Sequence, residues 1–189
     1  MQPLRLPART RGSSLIETLI ATSLGLLVLV LSTNSVLAVV VGENRTGAAK
    51  ALSTSLEFAR AEAAQRGIPV ALCGLDPRDA SPSASAVHCA PPGSAWQSGW
   101  IVFADTNLNG DLDDGEAVLQ VTRGATQLIT PESDAASAPV EFRPIGTLAH
   151  ATPRRLLIGA DSTQNTPAQA VCVAIDGFTR VVSASAPCL

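Results

Sequence analysis

Residues 9–17 read Arg9-Thr10-Arg11-Gly12-Ser13-Ser14-Leu15-Ile16-Glu17, and the stretch 18–41 that follows is largely apolar, interrupted by Ser32-Thr33-Asn34-Ser35. A run of this length is sufficient for a bilayer-spanning helix, which takes about 20 residues. Arg5, Arg9 and Arg11 precede it with no acidic residue among them. By the positive-inside rule that end stays cytoplasmic and the remainder is exported. Glu17 is the anomaly. A carboxylate just inside an apolar helix is costly and marks a partner or a function. Two plainer readings share the basic and apolar parts. One is a secretory signal peptide ending at the small-x-small site Val36-Leu37-Ala38, and the other is a simple uncleaved anchor. Glu17 at the entrance of the apolar run, and the amphipathic pattern that continues directly after it, argue against the signal peptide, and a plain anchor has no use for Glu17.

The chain has 189 residues, enough for one ordinary domain with additions. Its formal net charge is -3 and its pI about 5.3. The three N-terminal arginines offset part of that acidity, so the rest of the chain is more acidic still. An acidic head is a poor default ligand for nucleic acid, because phosphate neutralisation needs Lys and Arg. Aromatic residues are scarce, with four Phe, two Trp and no Tyr, so the core must rest on Val, Leu, Ile and Ala. Four cysteines behind an export-type N-terminus suggest two disulfides. Three pairings are open, and the short loops favour Cys73–Cys89 with Cys172–Cys188. No Cys-x-x-Cys is present, which leaves zinc-ribbon and thioredoxin-type readings without support.

Residues 44–66 read as helix. Leu52, Leu56, Ala59 and Ala63 recur at spacings of four, three and four, forming one apolar stripe. Gly67 followed by Pro69 stops it. Joined to the apolar run, this predicts a helix of about 50 residues, on the order of 75 Å long. Its second half should pack on a sheet. Strands are predicted over 68–73, 100–104, 117–122, 127–130, 140–143, 154–158, 170–175 and 179–183. The last two turn near Asp176-Gly177. Residues 76–93 and 132–139 are Pro-, Ser- and Ala-rich loops. A helix followed by many short strands is an α+β plan: a long N-terminal helix packed on an antiparallel β-sheet head.

At Gly12 and Glu17 the N-terminus resembles the leader of type IV prepilins. That resemblance implies cleavage by prepilin peptidase between Gly12 and Ser13, methylation of the new N-terminus, and Glu17 as the fifth mature residue. In the family this acid meets the N-terminal ammonium of a neighbouring subunit and sets axial register, which relieves the cost of a buried unpaired charge. Ser13 stands where the family usually has Phe, and Asn34 where many pilins have Pro. The implied organisation is a leader over 1–12, a transmembrane and assembly helix over 13–41, and a periplasmic, pilin-like head over 42–189. Phe58-Ala59-Arg60-Ala61-Glu62-Ala63 with Arg66-Gly67, a strand ending in Cys73, and Gly99-Trp100-Ile101-Val102-Phe103 leading into Asp105-Thr106-Asn107 are similar to FimT-like minor pilins and H-type pseudopilins of type II secretion. The resemblance implies a single-pass inner-membrane protein that assembles with other pilin or pseudopilin subunits, at or near a filament tip. Some FimT-like pilins bind DNA through a C-terminal Gly-Arg-x-Arg. Gly177-Phe178-Thr179-Arg180 keeps its first and last residues, with Arg154, Arg155 and Arg143 as further candidates. Nucleic acid is a partner not favoured by this match.

Asp105-x-Asn107-x-Asn109-Gly110-x5-Glu116 fits the loop pattern of an EF-hand. Alternating oxygen ligands, a turn glycine and a closing Glu suit calcium, with Asp105, Asn107, Asn109, Asp111 and Glu116 as the ligand set. The flanks read as strands rather than helices, so the same residues serve equally as turn formers in a hairpin. No other cofactor is expected. The two histidines, His88 and His150, lie in loop-like settings. Gly-x-Ser-x-Gly, a phosphate-binding glycine loop and a His-rich metal motif are all missing from the sequence, so catalysis is not expected.

Overall fold

The structure, a computed structural model, describes residues 15–84, 86–91, 94, 96–124, 129–132, 139–159 and 169–188, with the side chains of 25–44 and 130–132 outside the description. The chain divides into two compact units, Met1–Val40 and Val41–Leu189. Helix α1 covers Leu15–Arg66. It stops where the sequence predicts: Gly67 takes φ of 67° and donates its N–H to the Ala63 carbonyl, closing the last turn in a conformation that other residues enter at a cost.

Eight strands follow: β1 (Val70–Gly74), β2 (Gly99–Ala104), β3 (Val118–Arg123), β4 (Ile129–Glu132), β5 (Val140–Phe142), β6 (Arg154–Ile158), β7 (Gln169–Val173) and β8 (Thr179–Ser183). The boundaries of β6 and β8 coincide with the sequence prediction, and the others differ by a residue or two. Residues 127–128 of the predicted fourth strand lie outside the described residues. The strands form two antiparallel four-stranded sheets, ordered β3-β2-β1-β5 and β4-β6-β7-β8, instead of the single set expected. The order of the two middle strands is the reason. β4 pairs with β6, while β5 returns to β1. Neither choice follows from local alternation, because both strands offer the same period-two pattern to either sheet.

The core lies between α1 and the inner faces of both sheets. Leu52, Leu56, Ala59 and Ala63 are fully buried, as the predicted stripe requires. Val70, Leu72, Trp100, Val102, Val140 and Phe142 meet them from the first sheet, and Leu156, Ile158, Val171 and Val173 from the second. The outer face of the first sheet has a smaller core of its own. Ala71, Cys73, Leu75, Ile101 and Phe103 are covered there by Val87, Cys89 and Leu112. That covering explains why β1 and β2 are buried on both faces. Trp96 joins the two sheets: its side chain belongs to the main core, and its backbone N–H donates to the Ile129 carbonyl of β4 at 2.8 Å. It also fixes the identity of Gly74, where a Cβ would stand 2.2 Å from the indole Cδ1.

Both expected disulfides are present, Cys73–Cys89 and Cys172–Cys188, with Cα separations of 5.6 and 5.5 Å. Truncation inside the helix stripe tests the packing. Leu56→Ala is expected to lower unfolding free energy by about 2–5 kcal/mol, read from urea titration. Lys50→Ala, on the exposed side of the same helix, should change it by less than about 0.5 kcal/mol.

Candidate functional site

The N-terminal unit is described from Leu15. Glu17 lies in the first turn of α1, where a carboxylate is favoured by the helix dipole. Around it Leu15, Ile16, Leu19, Ile20 and Leu24 are 80, 66, 61, 54 and 57 % exposed. Within ten residues, five large apolar side chains and one acid are thus presented by the same stretch of helix. Thr18, Thr22 and Ser23 return their hydroxyls to helix carbonyls, so they add little polarity to that surface. Gly12 and Ser13, the expected processing residues, lie outside the described residues. Among the described residues no helix is long and apolar enough to cross a membrane. Most of the expected span over 13–41 falls on side chains outside the description.

The 105–116 loop is a β2–β3 hairpin connection. Asp105 is fully buried, and its carboxylate accepts the N–H groups of Asn109 and Gly110. The Asn107 and Asn109 side-chain oxygens accept from Asn109 and Asp111, and Glu116 accepts from Thr106 and Asp113. Four of the five residues expected as calcium ligands thus have side-chain oxygens engaged by the loop's own backbone. The shape is that of a run of Asx turns. Among the described residues no group of three or more His, Cys, Asp and Glu gathers where it could hold a metal ion.

A polar junction that the sequence did not signal lies beside this loop. Glu141 sits on the outer face of β5, where alternation would leave it in water. It is instead 9 % exposed, because the loop closes over it: a Cβ on Gly110 would stand 2.9 Å from Glu141 Oε1. His150 Nε2 lies 3.6 Å from the same oxygen. Burial raises the Glu141 carboxyl above its ordinary value, reinforced by the Asp105 charge and opposed by Arg154. Burial likewise raises Asp105. His150 is held below its ordinary value by burial and by the Arg154 cation. Although the distance suits an ion pair, desolvation and the neighbouring cation favour the neutral imidazole.

The three arginines proposed for DNA do not form one patch. Arg154 is 7 % exposed, on the helix-facing side of β6 and near Glu141, so it is not placed to meet a phosphate. Arg155 and Arg180 share the outer face of the second sheet, each paired in register with Cys172. Arg155 donates to the Ala184 carbonyl. Arg180 is exposed. His88, the other histidine, is an exposed loop residue whose Nδ1 lies 2.8 Å from Asp79.

The junction makes stability depend on pH. A carboxyl raised above its ordinary 4.5 stabilises the fold below that value, and the contribution is lost as pH rises through the folded-state value. His150 acts in the opposite sense, costing stability as pH falls below 6.5. Glu141→Gln removes only the first effect. Its urea midpoint should exceed the unmodified protein's near pH 7, and the difference should close by about pH 4.

Residues 48–177 match the family described as type II transport protein GspH. The fold matches the crystal structure of the type IV minor pilin FimU of Pseudomonas aeruginosa strain PAO1, with TM-score 0.53 and 18 % identity over 75 % of this chain and 98 % of that chain. A second crystal form of FimU gives TM-score 0.53 and 16 % identity, over 76 % and 95 %. No curated protein matches significantly. At these identities the structures speak for the fold, and the family rests on the 48–177 match. This α+β chain, with its helix-on-sheet head, belongs to the GspH family.

Proposed function

We propose that this chain is a minor pilin or pseudopilin that assembles through its N-terminal helix into a type IV pilus or a type II secretion pseudopilus, at or near the tip. The observation that carries the reading is the surface from Leu15 to Leu24. Five large apolar side chains more than half exposed, with Glu17 among them, call for an apolar environment that also answers one charge. A bilayer before assembly and a bundle of neighbouring pilin helices afterwards provide both. Prepilin peptidase would free the Ser13 amine, and that ammonium on the next subunit is the counter-charge Glu17 needs. The head, closed by two disulfides and bearing long loops, suits a low-copy position.

Mass spectrometry of the protein from its native membrane is expected to show a chain starting at Ser13 with a methylated amine. Glu17→Ala should leave that processing intact while co-purification with other pilin subunits falls at least about tenfold, the loss of roughly 1.4 kcal/mol of pairing. A chain starting at Val39 would sink the assembly reading, since the helix would have been discarded.

The alternative is a DNA receptor for uptake. Arg155 and Arg180 on one outer face favour it, and the acidic head and the buried Arg154 weigh against it. A deletion strain decides between the two. Filaments or secretion lost means assembly; filaments kept and DNA uptake lost means the receptor.

A further inference from the structure

The β2–β3 loop is held between two parts of the head that are distant in sequence. On one side Gly110 is pressed against β5 and the proline before it. A Cβ at Gly110 would stand 2.2 Å from Pro139 Cγ and 2.9 Å from Glu141 Oε1, so the loop backbone itself is the cover that keeps Glu141 from water. On the other side the Gly110 carbonyl oxygen lies 4.0 Å from Cys89 Sγ. Two residues on, Leu112 packs on the outer core of the first sheet, a task it shares with Val87 and Cys89. Those two residues arrive from the segment that follows β1.

That segment is a strap. It leaves the sheet at Leu75, passes through a short helical turn at Pro77–Asp79, and returns to pair Cys89 with Leu75. At its root the Asp76 N–H donates to the His88 carbonyl at 3.0 Å, and the Ala90 N–H to the Gly74 carbonyl at 2.7 Å. His88 meets the Asp79 carboxylate through its backbone N–H and its ring. That pair is exposed, where such contacts contribute little. The covalent tie is the disulfide from the buried Cys73 of β1 to the half-buried Cys89. Without it, a few backbone hydrogen bonds and the burial of Val87 would have to hold the strap in place.

We propose that the Cys73–Cys89 disulfide is the lock of a lid: by fixing the strap it holds the β2–β3 loop down on Glu141, and breaking that bond lets the loop lift and admits water to the seam. The physical reason is shared burial. Leu112, Val87 and Cys89 cover the same five residues, Ala71, Cys73, Leu75, Ile101 and Phe103, so a strap that departs exposes the surface on which Leu112 rests. It also removes the sulfur packed beside Gly110. The seam itself favours opening, because buried ionisable groups gain solvation when uncovered. Glu141 faces Asp105 from the loop, His150 from the segment before β6, and Arg154 from β6. Glu116 acts on Asp105 from the far end of the loop, and Arg143 acts on His150. The device lies wholly in the head and does not rest on the assembly reading.

The molecule carries its own control. Cys172–Cys188 has the same sequence separation, 16, as Cys73–Cys89, so the chain-entropy account gives the two bonds equal effects on overall stability. It fastens the C-terminal tail to β7 of the second sheet instead. The test uses the full chain in detergent, with amide hydrogen exchange read by mass spectrometry. Cys73→Ala with Cys89→Ala is compared with Cys172→Ala with Cys188→Ala. Exchange over residues 106–113 is expected to be faster by about tenfold or more in the first double variant than in the second. The Asn109 and Gly110 amides, which donate to Asp105, should lead that change. Glu141→Gln is then added to each pair. Its gain in urea midpoint near pH 7 should persist beside the Cys172 and Cys188 changes. Beside the Cys73 and Cys89 changes it should fall below about half, because an uncovered Glu141 ionises without cost and the two effects are coupled. A bond that acts through the unfolded chain alone would leave that gain additive in both. Equal exchange over 106–113 in the two double variants, or an undiminished Glu141→Gln gain, overturns the proposal. Should the first double variant fail to fold, Val87→Ala with the bond intact trims the strap's cover in its place. It is expected to speed exchange over 106–113 and leave β6 unchanged, and no change over 106–113 overturns the proposal.

Discussion

One buried stripe of helix organises the head. Leu52, Leu56, Ala59 and Ala63 present a narrow apolar face to two sheets at once. With only six aromatic residues in the chain, close packing of aliphatic side chains must supply most of the burial. Both tryptophans are placed where size matters, Trp100 inside the first sheet and Trp96 at the junction with the second. Each sheet then has an outer face to protect, and each is protected in the same way. A loop or tail is folded back and fastened by a disulfide: Cys73–Cys89 behind the first sheet and Cys172–Cys188 behind the second. Each bond closes a similar short span, which on the chain-entropy account contributes about 3 kcal/mol. The helix provides the core between the sheets, and the disulfides compensate for thin cover outside.

The polar groups of the head are organised around the same geometry. Where the β2–β3 loop closes over β5, Asp105 and Glu141 are taken out of water beside His150 and Arg154. The loop's amides satisfy Asp105, while Glu141 remains the poorly solvated member and rests on the nearby arginine. The consequence is a seam whose protonation is tied to the closure of the loop. The same closure holds Leu108 outward at its tip. A fully buried carboxylate and an exposed leucine are therefore two results of one loop fold. The N-terminal unit follows the opposite rule. Between Leu15 and Leu24 it keeps its large apolar side chains outside, with one acid among them.

Much of this was legible in the amino-acid sequence because it rests on local signals. The end of α1, the buried stripe, β6, β8 and the α+β class follow from periodicity and from glycine and proline punctuation within a few residues. The disulfide pairing follows from short loop closure, and the family from the Arg66-Gly67 and Gly99–Phe103 stretches together with the leader. The tertiary structure alone decided what depends on residues distant in the chain. It set the division into two sheets, since β4 and β5 carry equivalent alternation and only packing selects their partners. It buried Glu141, which alternation places on a solvent face until a loop some 30 residues earlier covers it. It also separated Arg154 from Arg155, because adjacent residues of a strand point to opposite faces and only the position of the helix says which face is inside.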